Sequence, residues 1–210
     1  MRGEEIEEKS FSIIKKVLDC YALPEYGRFI VERIVHASAD FSLAPLVVIR
    51  EGFIEIFQET IRKKKYPVFC DVSMVYHGIS PHLLAQSEIA LWEVVNNPEC
   101  WQLAITANST RSEAAIELAV AQGIKGFVFG NSPTGLLRLV TKIKAGYPVD
   151  WVIGCPVGLV KAAEAKEKLL SLEIPTVVVR GAKGGSAIAA SVINALLAST
   201  FRGEKDDFLF

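Results

Sequence analysis

The chain has 210 residues, half of them hydrophobic, and a formal net charge of −1 from 23 Lys and Arg against 24 Asp and Glu. That length buries roughly 70% of the unfolded surface in one core, so a single domain over 1–210 is expected, and the balanced charge excludes a general basic field for nucleic acid. No apolar run approaches the roughly 20 residues of a membrane span, and the acidic start MRGEEIEEK lacks the basic region of a secretory signal. A cytoplasmic protein without membrane or nucleic-acid partners is therefore expected.

Ile6, Ile13, Ile14, Val17, Leu18 and Tyr21 share one face at helical spacing with Glu and Lys opposite, which predicts an amphipathic helix over 4–21. Pro24 stands where a first helical turn tolerates proline. Phe29, Ile30, Ile34 and Val35 continue a second helix to about Ala37, with His36 in its last turn. A loop and a third helix, around Phe53 to Lys64, follow. The pattern then changes to short apolar runs at 66–72, 88–95, 126–130, 150–157 and 174–180, each bounded by Gly, Pro or Asn. Most are continuously apolar, as strands covered on both faces must be. Helical patterns at 98–122, 133–145, 159–171 and 186–200 lie between them, and the tail from 201 has no periodicity. Strand and helix in alternation predict right-handed crossovers and a three-layer α/β/α sandwich on a mainly parallel five-stranded sheet, with extra N-terminal helices.

Cys20, Cys70, Cys100 and Cys155 are widely spaced and form no zinc-type pair, so they read as reduced thiols. His77 and His82, with Pro81 between them, suit neither a helical nor a strand pair of ligands. No metal held by the protein is expected.

In doubly wound sheets the ligand crevice lies beyond the carboxyl ends of the strands. VVVRGAKGGSAIAA ends a strand in a glycine-rich turn and opens a helix, a place that suits phosphate or carboxylate as well as a plain tight turn. It matches neither nucleotide-loop motif, and no glycine motif follows the first strand. In GNSPTG, Pro133 starts a helix that Asn131 or Ser132 caps. Thr110 and Glu113 fit a capping box, which leaves Arg111 in a first helical turn, open to a surface salt bridge or to an anionic ligand. By itself His36 fits best an idle imidazolium favoured by a helix C-terminus, though the same position also makes a ready general acid near neutral pH.

Taken in order, EKSFSII (8–14), ERIVHASADF (32–41), DVSMVYHGIS (71–80), NSTRSEA (108–114), GNSPTGL (130–136), GCPVGLVKAAEAKEKL (154–169) and VVVRGAKGGSAIAASVINAL (177–196) resemble the precorrin-8X methylmutase family, also called cobalt-precorrin-8 methylmutase. The resemblance spans almost the whole chain. It implies a flavodoxin-like or Rossmann-like fold and a 1,5-methyl shift from C11 to C12 of a tetrapyrrole in cobalamin biosynthesis. It further implies no separate cofactor, since any cobalt belongs to the substrate, and a homodimer with the tetrapyrrole at the subunit junction. The family's catalytic histidine matches His36, proposed to protonate a macrocycle nitrogen. For the carboxylate-rimmed ligand the matched or neighbouring positions are Ser10, Arg33, Ser80, Arg111, Asn131, Thr134, Lys183, Gly184 and Gly185. After the histidine this chain has Ala37-Ser38-Ala39-Asp40, where many relatives carry glycine before or at this aspartate. A non-catalytic carrier of a tetrapyrrole or nucleotide is the alternative.

Overall fold

The computed structural model describes residues 2–201. Six strands form one sheet: β1 (Val47–Ile49), β2 (Pro67–Cys70), β3 (Ala90–Trp92), β4 (Gly126–Phe129), β5 (Trp151–Gly154) and β6 (Thr176–Val179), in the order β1-β6-β5-β4-β2-β3. All neighbours run parallel except β1, which pairs antiparallel with β6 in the register Val47 to Val179. Counting only β2 to β6, the order is two-one-three-four-five, a doubly wound sheet whose switch point lies between β2 and β4.

The helices are α1 (Gly3–Leu18), α2 (Arg28–Ser38), α3 (Phe53–Ile61), α4 (Ser73–Gly78), α5 (Pro81–Ser87), α6 (Pro98–Thr106), α7 (Arg111–Ala121), α8 (Pro133–Lys144), α9 (Ala162–Leu170) and α10 (Ser186–Phe201), with a 3-10 turn at Phe41–Leu46. Alternation along the strands divides the core. Val128, Trp151, Ile153, Val177 and Val179 face a cluster with α2, α3, α4, α5 and α10, while Phe127, Phe129, Val152 and Val178 face α6 to α9. Trp151 is fully buried, and its indole N–H donates to Thr60 Oγ1 at 2.9 Å. Gly126 on the next strand makes room for that ring, because any Cβ there would collide with it.

The five expected strands are present, and several expectations need correction. The sheet has a sixth strand: three residues after Pro45 suffice to pair with the edge of β6, where too short a run gave no readable period. Helix α1 is the extra N-terminal helix as expected, packing Ile14 and Leu18 against Val31 and Val35 of α2. Pro24 precedes α2, which starts at a left-handed Gly27. The 98–122 pattern breaks into α6 and α7, because Asn108 turns left-handed and Thr110 caps a new helix. Helix α9 starts at Ala162, after a left-handed Lys161. The motif at 71–80, which follows β2, is mostly helical. Phe201 closes α10, and the tail at 202–210 lies outside the described residues.

Candidate functional site

Helix α2 turns Ile30 and Ile34 toward the sheet and Val31 and Val35 toward α1. That leaves Arg33 and His36, one turn apart, on the side that meets Glu7, Ser10 and Phe11 of α1. The His36 ring stacks on Phe11, with centroids 4.7 Å apart and planes 12° from parallel. Its Nδ1 lies 3.2 Å from Ser10 Oγ, so the hydroxyl either donates to a bare nitrogen or accepts from a protonated one. The Arg33 guanidinium sits 4.3 Å from the Phe11 centroid and donates to Glu7 at 2.9 Å. His36 is exposed at the mouth of a recess of about 360 Å³, whose walls include Ile6, Arg33, Ser191 and Asn194. Asn194 also accepts from the Ser80 N–H at 2.9 Å and donates to Gly78 O at 3.0 Å, which brings Ser80 to the edge of the same recess.

A second recess, about 420 Å³, opens by the switch point between β2 and β4, lined among others by Val72, Ser73, Asn96, Arg111 and Asn131. The capping box predicted at Thr110 is present, and Arg111 is the first residue of α7. Its guanidinium lies 5.2 Å over the Trp101 ring, and it forms no ion pair among the described residues. The cap of α8 is Ser132, whose Oγ accepts from Gly135 at 3.0 Å. The Thr134 hydroxyl is 3.2 Å from that of Thr110.

The first three backbone donors of the GNSPTG turn are already engaged. Asp71, at the end of β2, accepts from the N–H groups of Gly130, Asn131 and Ser132 at 2.9, 2.7 and 2.6 Å. Burial pushes its carboxyl above the ordinary value, and the three donors oppose that shift. The turn after β6 is held by a close backbone approach. Gly184, at φ +153°, presses its backbone against the carbonyls of Cys155 and Pro156, where a Cβ would collide, and Gly185 N–H donates to Cys155 O at 2.9 Å. Lys183 reaches across to the segment beyond α2, donating to Asp40 at 2.7 Å and to Ser42 Oγ at 2.5 Å. Those partners hold the Asp40 carboxyl down at about 2.

The predicted residues thus fall into three groups: Ser10, Arg33 and His36 with Ser80 nearby; Arg111, Asn131 and Thr134; and Lys183, Gly184 and Gly185. Sequence reasoning missed Phe11, Glu7 and Asn194, which shape the His36 recess, and the buried ions Asp71 and Lys166. A signal existed for three of them. Glu7 and Phe11 stand one helical turn apart on α1, and Lys166 interrupts the apolar stripe Ala162, Ala165, Leu169. Among the described residues no three His, Cys, Asp or Glu converge as metal ligands, and no helix is long and apolar enough to cross a membrane.

A doubly wound α/β sheet with an exposed imidazole oriented by a hydroxyl and an aromatic ring defines a protein suited to moving or holding a proton on a bound organic ligand. Comparison narrows that class. The family model described as precorrin-8X methylmutase matches residues 5–199. The chain is 34% identical over 97% of both chains to a cobalt-precorrin-8 methylmutase of Leptospira interrogans. It is 36% identical to one of Salmonella typhimurium, over 91% of this chain and 93% of that one. The solved structure of a precorrin-8X methyl mutase from Thermus thermophilus superposes with a TM-score of 0.86 at 31% identity, covering 94% of this chain and 96% of that one. The chain belongs to the precorrin-8X methylmutase family.

Proposed function

We propose that His36 is the acid of a methyl shift from C11 to C12 of precorrin-8X, or of its cobalt form, giving hydrogenobyrinate or cobyrinate. The chain is an isomerase of cobalamin biosynthesis by its family. Substrate and product have the same atoms, so no leaving group, water or second substrate has to be handled. A proton placed on a macrocycle nitrogen withdraws electron density from the ring, the methyl group migrates, and the proton returns to the imidazole. One oriented acid and a shaped pocket are sufficient for this. The observation that supports the role is the geometry of His36: exposed at a recess, stacked flat on Phe11, with Nδ1 held at Ser10 and Nε2 left for the ligand. On this reading no separate cofactor is needed, and cobalt enters only within the substrate.

Arg111 and Lys183 are the proposed carboxylate contacts. Arg111 has its fork of donors unpaired by carboxylate among the described residues, and Lys183 keeps a third N–H beyond those given to Asp40 and Ser42. Ser10, Arg33, Ser80, Asn131, Thr134 and the turn at Gly184 and Gly185 complete the proposed lining.

The His36 and Arg111 recesses share no lining residue, and each is at the small end of ligand pockets, which span roughly 300–1,000 Å³. That supports a homodimer whose ligand bridges two copies. Ile6, 55% exposed on the wall of the His36 recess, and Trp101 and Ile105, beside Arg111, are the apolar surfaces a second copy would cover.

The test is an absorbance time course of the purified protein with precorrin-8X and with its cobalt form. A corrin spectrum that appears with wild type and not with His36→Ala supports the acid role. Binding by both without spectral change would replace it with a carrier. Mixing His36→Ala with Arg111→Ala tests the shared site. Mixed dimers that regain activity place the two residues of one site on different copies, and absence of any gain refutes that arrangement.

A further inference from the structure

Lys166 is a lysine on the buried face of α9, with no exposed surface. Its ammonium donates to three carbonyls of one short stretch, Val179 O at 2.7 Å, Gly181 O at 2.8 Å and Lys183 O at 2.6 Å. A lysine has three N–H donors, and each is matched here. Desolvation pulls its pKa down to about 8, so at neutral pH it remains the cation that those carbonyls require. The stretch it gathers is the turn after β6, and the chain of contacts continues. Lys183, whose carbonyl is the third acceptor, sends its own ammonium to Asp40 and Ser42. The Asp40 N–H donates to Ser38 Oγ at 3.2 Å, and Ser38 Oγ–H donates to Ile34 O at 2.8 Å inside α2. Asp40 lies four residues past His36, just beyond the left-handed Ala39 that ends the helix.

We propose that Lys166 is a positioning residue for the His36 site: from inside the core it fixes the 179–183 turn, and through Lys183 and Asp40 it fixes the end of the helix that carries His36.

An ordinary buried ion would need only a local partner. Here all three bonds converge on the turn that delivers Lys183, and none reaches another helix. The titratable group of the neighbouring strand end that interacts with Lys166 is Cys155, whose thiol burial pushes up to about 12, so it stays a neutral neighbour. The Lys166 charge is therefore directed at the geometry of that turn.

The inference rests on the proposed methyl shift for one of its two readouts. Steady-state kinetics well below the melting temperature are compared for wild type, Lys166→Met, Lys166→Gln, Lys183→Met and the Lys166→Met/Lys183→Met double variant. A displacement on the order of 1 Å lowers rates by about 10- to 100-fold, and that fall in kcat is expected in each single variant. The double variant should fall no further, while KM rises only where Lys183 is replaced. The second readout needs no turnover: the NMR signals of the His36 ring shift alike in Lys166→Met and Lys183→Met. Lys166 variants that melt lower yet keep wild-type kcat and His36 signals would overturn the proposal. So would multiplicative losses in the double variant, or failure of both Lys166 variants to fold, which would make the residue a folding requirement only. Wild type that binds the tetrapyrrole without converting it refutes the acid reading instead, and the His36 signals then decide the positioning role alone.

Discussion

Replacing Asp71 by Asn asks which force dominates at the switch point. The carboxylate accepts three backbone N–H groups, one at Oδ1 and two at Oδ2, all from the turn that follows β4. An amide offers one oxygen, so whichever way it is oriented at least one buried N–H meets an NH₂ group in place of an acceptor, at a cost of about 1–3 kcal/mol. The bonds that survive change from charge-assisted to neutral and lose about half their strength, roughly 1 kcal/mol each. Against this, removing a buried charge relieves the desolvation that raises the Asp71 carboxyl. If the relief returns about 1–2 kcal/mol, the net loss is about 2–3 kcal/mol, or about 4–12 °C in melting temperature for a domain of this length. Urea unfolding followed by circular dichroism at pH 7, with an unchanged m-value, measures it. A raised folded-state value means that the native protein takes up the proton first as the pH falls. Wild type therefore gains stability relative to Asp71→Asn, which takes up no such proton, and the gap widens as acid titrates the group through its raised range. A variant as stable as wild type at pH 7 would refute the reasoning and show that the charge is a burden its donors fail to offset.

Three further outcomes are expected. Ser10→Ala removes the partner of His36 Nδ1 and should lower kcat about tenfold, equivalent to one hydrogen bond of about 1.4 kcal/mol, in single-turnover measurements; a loss under twofold would leave Ser10 without an orienting role. Ala39, at φ +52°, ends α2 in the left-handed region, so Ala39→Gly should gain about 0.5–1 kcal/mol in chemical denaturation, and a loss would show the strain to be absent. Asp40 is held low first by Lys183 and then by Ser42, so its folded value lies below the unfolded one; its contribution is present above about pH 4 and disappears as the pH falls through about 2. Wild type and Asp40→Asn should thus differ in denaturant midpoint at pH 6 and converge near pH 2, and a gap independent of pH would rule the ion pair out as its source.

What the sequence made legible follows from range. GFVF and TVVV are continuously apolar because helices cover both faces of β4 and β6, and such runs announce themselves without any partner. Thr110 with Glu113 and Ser132 before Pro133 are caps, decided within one turn, and both were readable. The three-residue β1 was not, since it is a strand only because β6 offers an edge far along the chain. The departure from glycine at Ala39 was visible, yet its meaning needed the backbone angle. For the site, His36 was identifiable as a histidine at a helix end and Arg111 as an arginine in a first helical turn. Their surroundings were not, because Phe11 and Ser10 meet His36 across two helices whose rotation about each other no local pattern states.

The two turns at the carboxyl end of the sheet are closed by opposite ions. Asp71 gathers the N–H groups of one, and Lys166 gathers the carbonyls of the other. Glycine-rich turns that open helices usually hold phosphate on their free N–H groups. In this chain the first such set is filled by its own carboxylate. In the second, Gly185 N–H bonds Cys155, and three carbonyls are turned inward to Lys166. A nucleotide at the β2–β4 crevice would have to displace Asp71 from three hydrogen bonds, which argues against the nucleotide-carrier alternative. The charges left facing outward are side chains, Arg111 and Lys183, each able to reach a separate group of a broad ligand. With three N–H groups of the turn after β4 engaged by the chain's own carboxylate, the spaced cations Arg111 and Lys183 remain to meet a ligand at this end of the sheet, which suits a wide ring with carboxylates along its rim.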